Sequence, residues 1–258
     1  MKLVTWNVNS LKVRMPRVLE LLEQLAPDVV CMQETKTEDA AFPAIELGAA
    51  GYDAVHHSAG RWAGVAILAR RELGAISDEQ VGLRGELRAD EARWIEATVG
   101  GLRVVSVYVP NGREVGSPTY DEKLAFLDAI AARVAQLRGE PLFVAGDFNV
   151  TRADIDVYDP AAFAGSTHIQ PEERARLEAI LAQGELVDAY RELHPDVVQH
   201  TWWDYRQGHF HRGLGLRIDY ALVSRARAAQ LVACGIARDF RKGSKPSDHA
   251  PLLTEVAR

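Results

Sequence analysis

Several short runs of this chain are apolar on both faces and rich in β-branched residues rather than apolar at alternate positions: "LVTW", "VVCM", "VAILA", "VVSVYV" and "LFVA". A strand with one wet face alternates apolar and polar side chains, whereas a strand apolar on both sides is covered on both faces. Sheets made from these runs therefore lie inside the molecule, with apolar material above and below. The pattern predicts strands over residues 2–8, 28–33, 64–69, 93–99, 103–109, 142–145, 218–223, 231–236 and 251–256.

Helical patterns separate some of these strands and supply the cover. In 117–139, Leu124, Leu127, Ala131 and Val134 fall on one face, with Ser117 as N-cap, Pro118 just inside and Gly139 closing the element. A second helix carries Val18, Leu21, Leu22 and Leu25 and stops before Pro27; a third spans 171–183 and ends at Gly184. The class is α/β. No repeat, linker or low-complexity stretch divides the 258 residues, so a single domain over 1–258 is expected. A chain this long buries enough surface to fold without a covalent or metal staple. Its two cysteines, Cys31 and Cys234, sit in apolar runs and read as reduced core thiols. The N-terminus lacks a signal-peptide pattern, and no apolar run approaches the roughly 18 residues of a membrane span. A cytoplasmic protein without a membrane role is expected.

The chemistry-bearing residues stand at the ends of the apolar runs. "VTWNVN" brings Asn7 and Asn9, "VVCMQE" brings Glu34, and "VVSVYVPNGR" brings Tyr108, Asn111 and Arg113. "VAGDFN" brings Asp147 and Asn149, "RIDYALV" starts with Asp219, and "KPSDHAPLL" places Asp248 and His249 before the last strand. Any one of these alone reads as a turn or a solvated strand end. Together, if the strands share packed sheets, the tips converge on one cleft. Carboxylates gathered there repel unless a cation lies between them. Glu34, Asp248 and amide oxygens suit a hard cation, Mg²⁺ or Mn²⁺, better than zinc. Asp219 beside His249 would fix the imidazole tautomer and favour its charged form. Asp147 is then a candidate base for a water, with Asn149 positioning it. The set fits metal-assisted hydrolysis of a phosphodiester.

The motifs "TWNVNS", "MQETK", "YVPNGR", "GDFNV", "LRIDY" and "PSDHAPL" resemble, in order and spacing, the exonuclease III branch of the AP endonucleases, within the exonuclease–endonuclease–phosphatase superfamily. The resemblance runs from residue 2 to about 256. It implies a four-layer α/β sandwich, two facing mixed β-sheets flanked by helices. It also implies Mg²⁺-dependent cleavage of DNA 5′ to abasic sites, with 3′→5′ exonuclease and 3′-end trimming. Carried over by position, Glu34 resembles the principal metal ligand, supported by Asn7 and Asn9. Asp248 resembles a carboxylate either on the metal side or in the layer behind the ligands. Asp147 resembles the base and Asn149 its partner; Asp219 and His249 resemble the pair at the phosphate, and Tyr108 a donor to it. Some members carry Asp where this chain has Asn9. The first strand begins almost at residue 1, and no regulatory segment ahead of it is expected.

For the substrate, Trp202, Leu216 and Ile218 match the family's apolar pocket for a flipped sugar without its base, which is small enough to enter where a nucleotide would clash. Trp203 reads as core. Asn111, Arg113 and Lys36 are further candidate substrate contacts. The net charge of −6 argues mildly against nucleic acid. Yet Lys12, Arg14, Lys36, Arg61, Arg113, Arg206, Arg212, Arg241 and Lys242 lie near the motif-bearing loops and predict a local basic groove. His209 and His211 read as surface or groove residues. The expected partner is duplex DNA with abasic sites or recessed or blocked 3′ ends, met by a monomer. A phosphatase or sphingomyelinase-like phosphodiesterase on the same scaffold is the alternative; the apolar triplet and the missing secretion signal disfavour it. A non-catalytic DNA-binding module is disfavoured because a competent residue fills every catalytic position.

Overall fold

The computed structural model describes residues 1–257. Its strands are β1 (Lys2–Asn7), β2 (Val29–Gln33), β3 (Tyr52–His57), β4 (Val65–Arg70), β5 (Ser77–Val81) and β6 (Trp94–Val99). They continue with β7 (Leu102–Tyr108), β8 (Leu142–Asp147), β9 (Leu186–Asp188), β10 (Asp219–Ser224), β11 (Leu231–Ile236) and β12 (Leu252–Val256). The helices are α1 (Leu11–Leu25), α2 (Ala44–Ala49), α3 (Pro118–Gln136), α4 (Pro171–Gln183), α5 (Ala189–Leu193) and α6 (His209–Arg212).

Two six-stranded sheets form, one in the order β11-β12-β1-β2-β4-β3 and the other in the order β5-β6-β7-β8-β10-β9. Each has one parallel pair near its centre, β1 with β2 and β7 with β8, and antiparallel neighbours around it. The doubly apolar runs explain the layering. Alternate residues of one strand face opposite ways, so Val104 joins the core between the sheets while Val105 faces the helices. Leu3, Cys31, Ile67, Ile95, Phe143 and Ala221 fill the inter-sheet core. Outside one sheet, Val4, Trp6, Val30 and Leu68 pack on Val18, Leu21 and Leu22 of α1. Outside the other, Val107, Val144 and Leu222 pack on Phe126, Ile130 and Val134 of α3 and on Leu177 and Ile180 of α4. This is the expected four-layer sandwich. Cys31 and Cys234 are free and buried. No helix among the described residues is long and apolar enough to cross a membrane.

The structure adds three strands to the sequence reading. β5 is "SDEQV", exposed along its whole length, and pairs with β6 through its backbone. β3 is only partly buried beyond Tyr52, and β9 is three residues long. β3 and β5 lack the apolar signature because an edge strand needs a partner more than it needs burial, and β9, though buried, is too short to show one. α2, α5 and α6 are likewise too short to show a helical period. α3 begins as expected, with the Ser117 side chain accepting from the Tyr120 N–H and Pro118 in the first turn. Of its expected inward residues, Leu127, Ala131 and Val134 are buried, Leu124 is only partly so, and the neighbouring Lys123 is fully buried.

Polar groups rivet the sheets together under one end. The Gln33 amide donates to Ser106 Oγ across the sheets at 3.0 Å, and the Thr5 hydroxyl donates to Gln33 Oε1 at 3.2 Å. Ser106 Oγ donates back to the Met32 carbonyl at 2.9 Å. Behind the same end, the fully buried Arg217 bonds Asp156 with Nε at 2.7 Å and Nη2 at 3.1 Å, and pairs with Asp188 at 2.8 Å. Arg191 also pairs with Asp156. Burial alone would raise the Asp156 carboxyl, but Arg217 and Arg191 outweigh it and hold it below the usual carboxylate range. A carboxyl depressed in this way contributes stability above its unfolded value near ~4 and loses it as pH falls through the folded value. Asp156→Asn is expected to cost about 3 kcal/mol at neutral pH. In urea unfolding, the gap to wild type should close as pH falls below about 4; a gap that ignores pH would remove the ion pair from the explanation.

Candidate active site

The strand register builds the site. β1 and β2 run parallel with Asn7 opposite Gln33, so their ends deliver Asn7 and Glu34 side by side. In the other sheet Asp147 sits in register between Tyr108 on β7 and Asp219 on β10. Such close parallel packing requires Gly146: a Cβ there would lie 1.9 Å from the Val107 carbonyl oxygen. The turns beyond the strands are tight. Asn9, Glu34, Lys36, Asn149 and His168 all have positive φ without being glycine, a strain that clusters at functional sites. Ser10 N–H to Glu34 O (2.7 Å) and Leu11 N–H to Thr35 O (2.9 Å) zip the first two of these turns together.

Asn7 lies at the centre. Its Nδ2 donates to Glu34 Oε1 at 2.7 Å and to Asp147 Oδ2 at 2.9 Å, joining carboxylates from the two sheets. Asn149 N–H donates to Asp147 Oδ1 at 2.9 Å; its side-chain amide lies 3.3 Å from Asp147 Oδ2 and 3.0 Å from the Val109 carbonyl. His249 is held through Nδ1 at 2.9 Å from Asp219 Oδ2, and its Nε2 lies 3.6 Å from Asp147 Oδ2. Its backbone is tied on both sides: His249 N–H donates to Ser247 Oγ, and Trp6 Nε1 donates to the His249 carbonyl. Arg93 stacks over the Tyr108 ring at 4.6 Å.

The electrostatics follow from this crowding. Burial raises the Asp147 carboxyl, and the Asp219 and Glu34 charges add to that against the opposing pull of His249. Burial would push the His249 imidazole down, but the Asp219 and Asp147 carboxylates outweigh it and raise it to about 10. Tyr108 is pushed well above its ordinary value by burial and then by Glu34, so its phenol keeps its proton.

The metal-side candidates are not equivalent. Lys36 Nζ bridges Glu34 Oε2 at 2.7 Å and Asn9 Oδ1 at 2.6 Å. Asp248 accepts from Asn9 Nδ2 at 2.9 Å and from Trp202 Nε1 at 3.0 Å, so both of its oxygens are engaged. Asn7 Oδ1 accepts from the Asn9 N–H at 3.0 Å. Glu34, Asp147 and His249 each offer an atom within 4.8 Å of the others. Asp219 Oδ1 is buried with no partner among the described residues. Oxygen donors of this kind, in excess over the nearby cations, fit a hard divalent ion.

The remaining candidates divide. Leu216 and Ile218 form a small buried cluster with Val157, and the partly exposed Trp202 packs on it, so the apolar triplet does come together. Trp203 is core, as expected. Asn111 Nδ2 reaches Asn149 Oδ1 at 3.4 Å, and Arg113 is exposed beside it. Within the expected basic groove, Arg241 is buried and donates to the Trp203 and Asp248 carbonyls, so it braces the loop. Arg206 is paired with Asp204, and Lys242 with Asp239. Sequence reasoning missed Lys123 and His168, which lie directly behind Asn149. Lys123 was hidden inside a helix read only for its apolar positions.

The fold and this cluster define a class: the chain belongs to the Endonuclease/Exonuclease/phosphatase family, whose model matches residues 4–249. More narrowly, it is similar to the exodeoxyribonuclease III of Haemophilus influenzae, at 32% identity with 99% of each chain covered. A 3′ phosphatase from Neisseria, solved with a product DNA hairpin, superposes with a TM-score of 0.96 at 38% identity over 100% of both chains. An AP endonuclease from Archaeoglobus fulgidus superposes with a TM-score of 0.94 at 33% identity over 99% of both.

A raised imidazole contributes stability that is complete below its unfolded value near ~6.5 and is lost as pH rises through the folded value. In metal-free protein at pH 8, the ¹⁵N shifts of His249 should therefore be those of an imidazolium. Neutral-imidazole shifts at that pH would mean that Asp219 and Asp147 do not outweigh burial.

Proposed function

We propose that the protein is a metal-dependent DNA-repair phosphodiesterase. It cleaves the DNA backbone 5′ to abasic sites and trims or degrades 3′ ends, with Mg²⁺ as the natural ion and Mn²⁺ able to substitute. The observation that carries this reading is the placement of Asp147: one buried carboxylate within reach of an amide pair, an imidazole and a second carboxylate from the facing sheet. Its raised carboxyl suits a group that takes a proton from an attacking water. Asn149 holds that carboxylate and the water's approach. Asp219 fixes Nδ1–H of His249, leaving Nε2–H to donate to a phosphoryl oxygen as charge develops there. Tyr108, kept protonated, is a second donor. Glu34 would hold the ion, with Asn7 aiming its carboxylate and Asn9 beside it; Asp248 steadies Asn9 and Trp202. A bound divalent ion supplies Lewis-acid neutralisation of the phosphoryl oxygens.

DNA as substrate is supported by the names of the similar proteins. Between the two kinds of substrate, 3′ ends are favoured by burial: Leu216 and Ile218 are covered in the free protein, so an internal abasic sugar has to open that cluster. A 3′ terminus has no such requirement. Abasic incision is the second activity of the same site.

With Mg²⁺, the protein should remove nucleotides or phosphate from 3′ ends and, more slowly, nick a duplex at a central abasic site. EDTA should stop both. Asp147→Asn should lower kcat by about 10³-fold while DNA affinity stays within a few-fold. Turnover of lipid or inositol phosphates with DNA untouched would replace this reading with the alternative on the same scaffold.

A further inference from the structure

A fully buried lysine is an expensive thing to place on the inner face of a helix. The Lys123 side chain is 0% exposed, and its ammonium reaches four oxygens. It donates to the Asn149 carbonyl at 2.7 Å, the Asn111 carbonyl at 3.2 Å and the Thr167 hydroxyl at 2.8 Å, and it pairs with the buried Glu173. Glu173 in turn accepts from Thr167 Oγ1 at 2.7 Å, from the His168 N–H at 3.1 Å and from the Gln170 N–H at 2.9 Å. The loop after β7 runs directly over the lysine stem: a Cβ on Gly112, whose φ is +84°, would lie 2.9 Å from Lys123 Cδ. The Asn149 carbonyl is also held by His168 Nδ1 at 2.6 Å. Burial, and then the Lys123 charge, push the His168 imidazole down to about 3, so it is neutral and Nδ1 carries the donated proton.

We infer that Lys123 is a positioning residue: its ammonium, balanced by Glu173, clamps the carbonyls of Asn111 and Asn149 and so sets the angle at which the Asn149 amide meets Asp147 and the Asn111 amide meets Asn149. This rests on the phosphodiesterase reading above. Asn149 is in the left-handed region, with φ 51°. Its side chain can meet Asp147 and the Val109 carbonyl only while its own carbonyl points back into the protein. A cation takes two carbonyls at once from a direction that an apolar side chain of the same length would leave empty. Fixing a polar contact this tightly is the kind of support on which reaction geometry depends.

The test separates support of the fold from support of the chemistry. Lys123→Met strands the Glu173 carboxylate and is expected to lower Tm. Lys123→Met combined with Glu173→Gln removes both charges, keeps an acceptor for the His168 and Gln170 N–H groups, and should recover most of that Tm. Thr167→Val loosens the same clamp without changing charge. The double variant should keep kcat down by about 100-fold and Thr167→Val by about 10-fold, each with KM within threefold and an unchanged pH profile. Amide exchange at 111–113 and 149–151 should quicken about tenfold in both, with β7 and β8 unaffected. If kcat returns together with Tm in the double variant, or if Thr167→Val leaves both kcat and loop exchange at wild-type values, Lys123 only supports the fold and the inference falls. Wild type inert on every DNA end and abasic duplex would instead overturn the phosphodiesterase reading, while the exchange data would still report on the clamp.

Discussion

A single side-chain amide, that of Asn7, donates one bond to Glu34 and one to Asp147, and those carboxylates belong to opposite sheets. It draws together two carboxylates whose charges would otherwise repel in the cleft. The amide can aim both bonds only because β1 ends in fixed register with β2, and because Ser247 Oγ donates to the Asn7 carbonyl at 2.7 Å. The position of the Ser247–His249 segment is thereby referred to the same point. His249, Asp147 and Glu34 are thus located relative to one another through a group that carries no charge.

The energetic logic is a contrast between the middle of the sandwich and its end. Along the strands, burial of Val, Ile, Leu and Phe on both faces supplies stability without polar complications. At the tips the molecule gathers several costly features in one place. Carboxylates lie close together, several non-glycine turn residues have positive φ, and the buried Asp219 Oδ1 has no hydrogen-bond partner among the described residues. Such features persist only where the surroundings over-determine them. Here the surroundings are the zipped turns after β1 and β2, the Arg217 cluster behind Asp219 and the Lys123 clamp behind Asn149.

Legibility in the sequence followed the source of each element's stability. Strands buried on both faces announced themselves through unbroken apolar runs, and every one of the nine strands read from the sequence has a counterpart. β5 could not, because its five residues are exposed and its stability comes from backbone pairing to β6. The polar strand tips were legible because Asp147, Glu34 and His249 interrupt apolar runs where no core requires them. What each tip touches was not. That Lys36 bridges Glu34 and Asn9, and that Asp248 spends its oxygens on Asn9 and Trp202, depends on side-chain reach across turns that share no periodicity. Lys123 shows the same limit inside a helix: the pattern marks a face to within about one residue, and here one residue separates a leucine from an ammonium.

The buried Thr5–Gln33–Ser106 crossing beneath the cleft allows the facing sheets no gradual slide: its bonds are made or broken, with no intermediate register. The spacing between the two carboxylates that Asn7 joins is consequently set by the frame and not by whatever enters. An ion held at Glu34, as proposed above, would then be accommodated by rotation of that side chain away from Lys36, the compliant part of an otherwise stiff jaw.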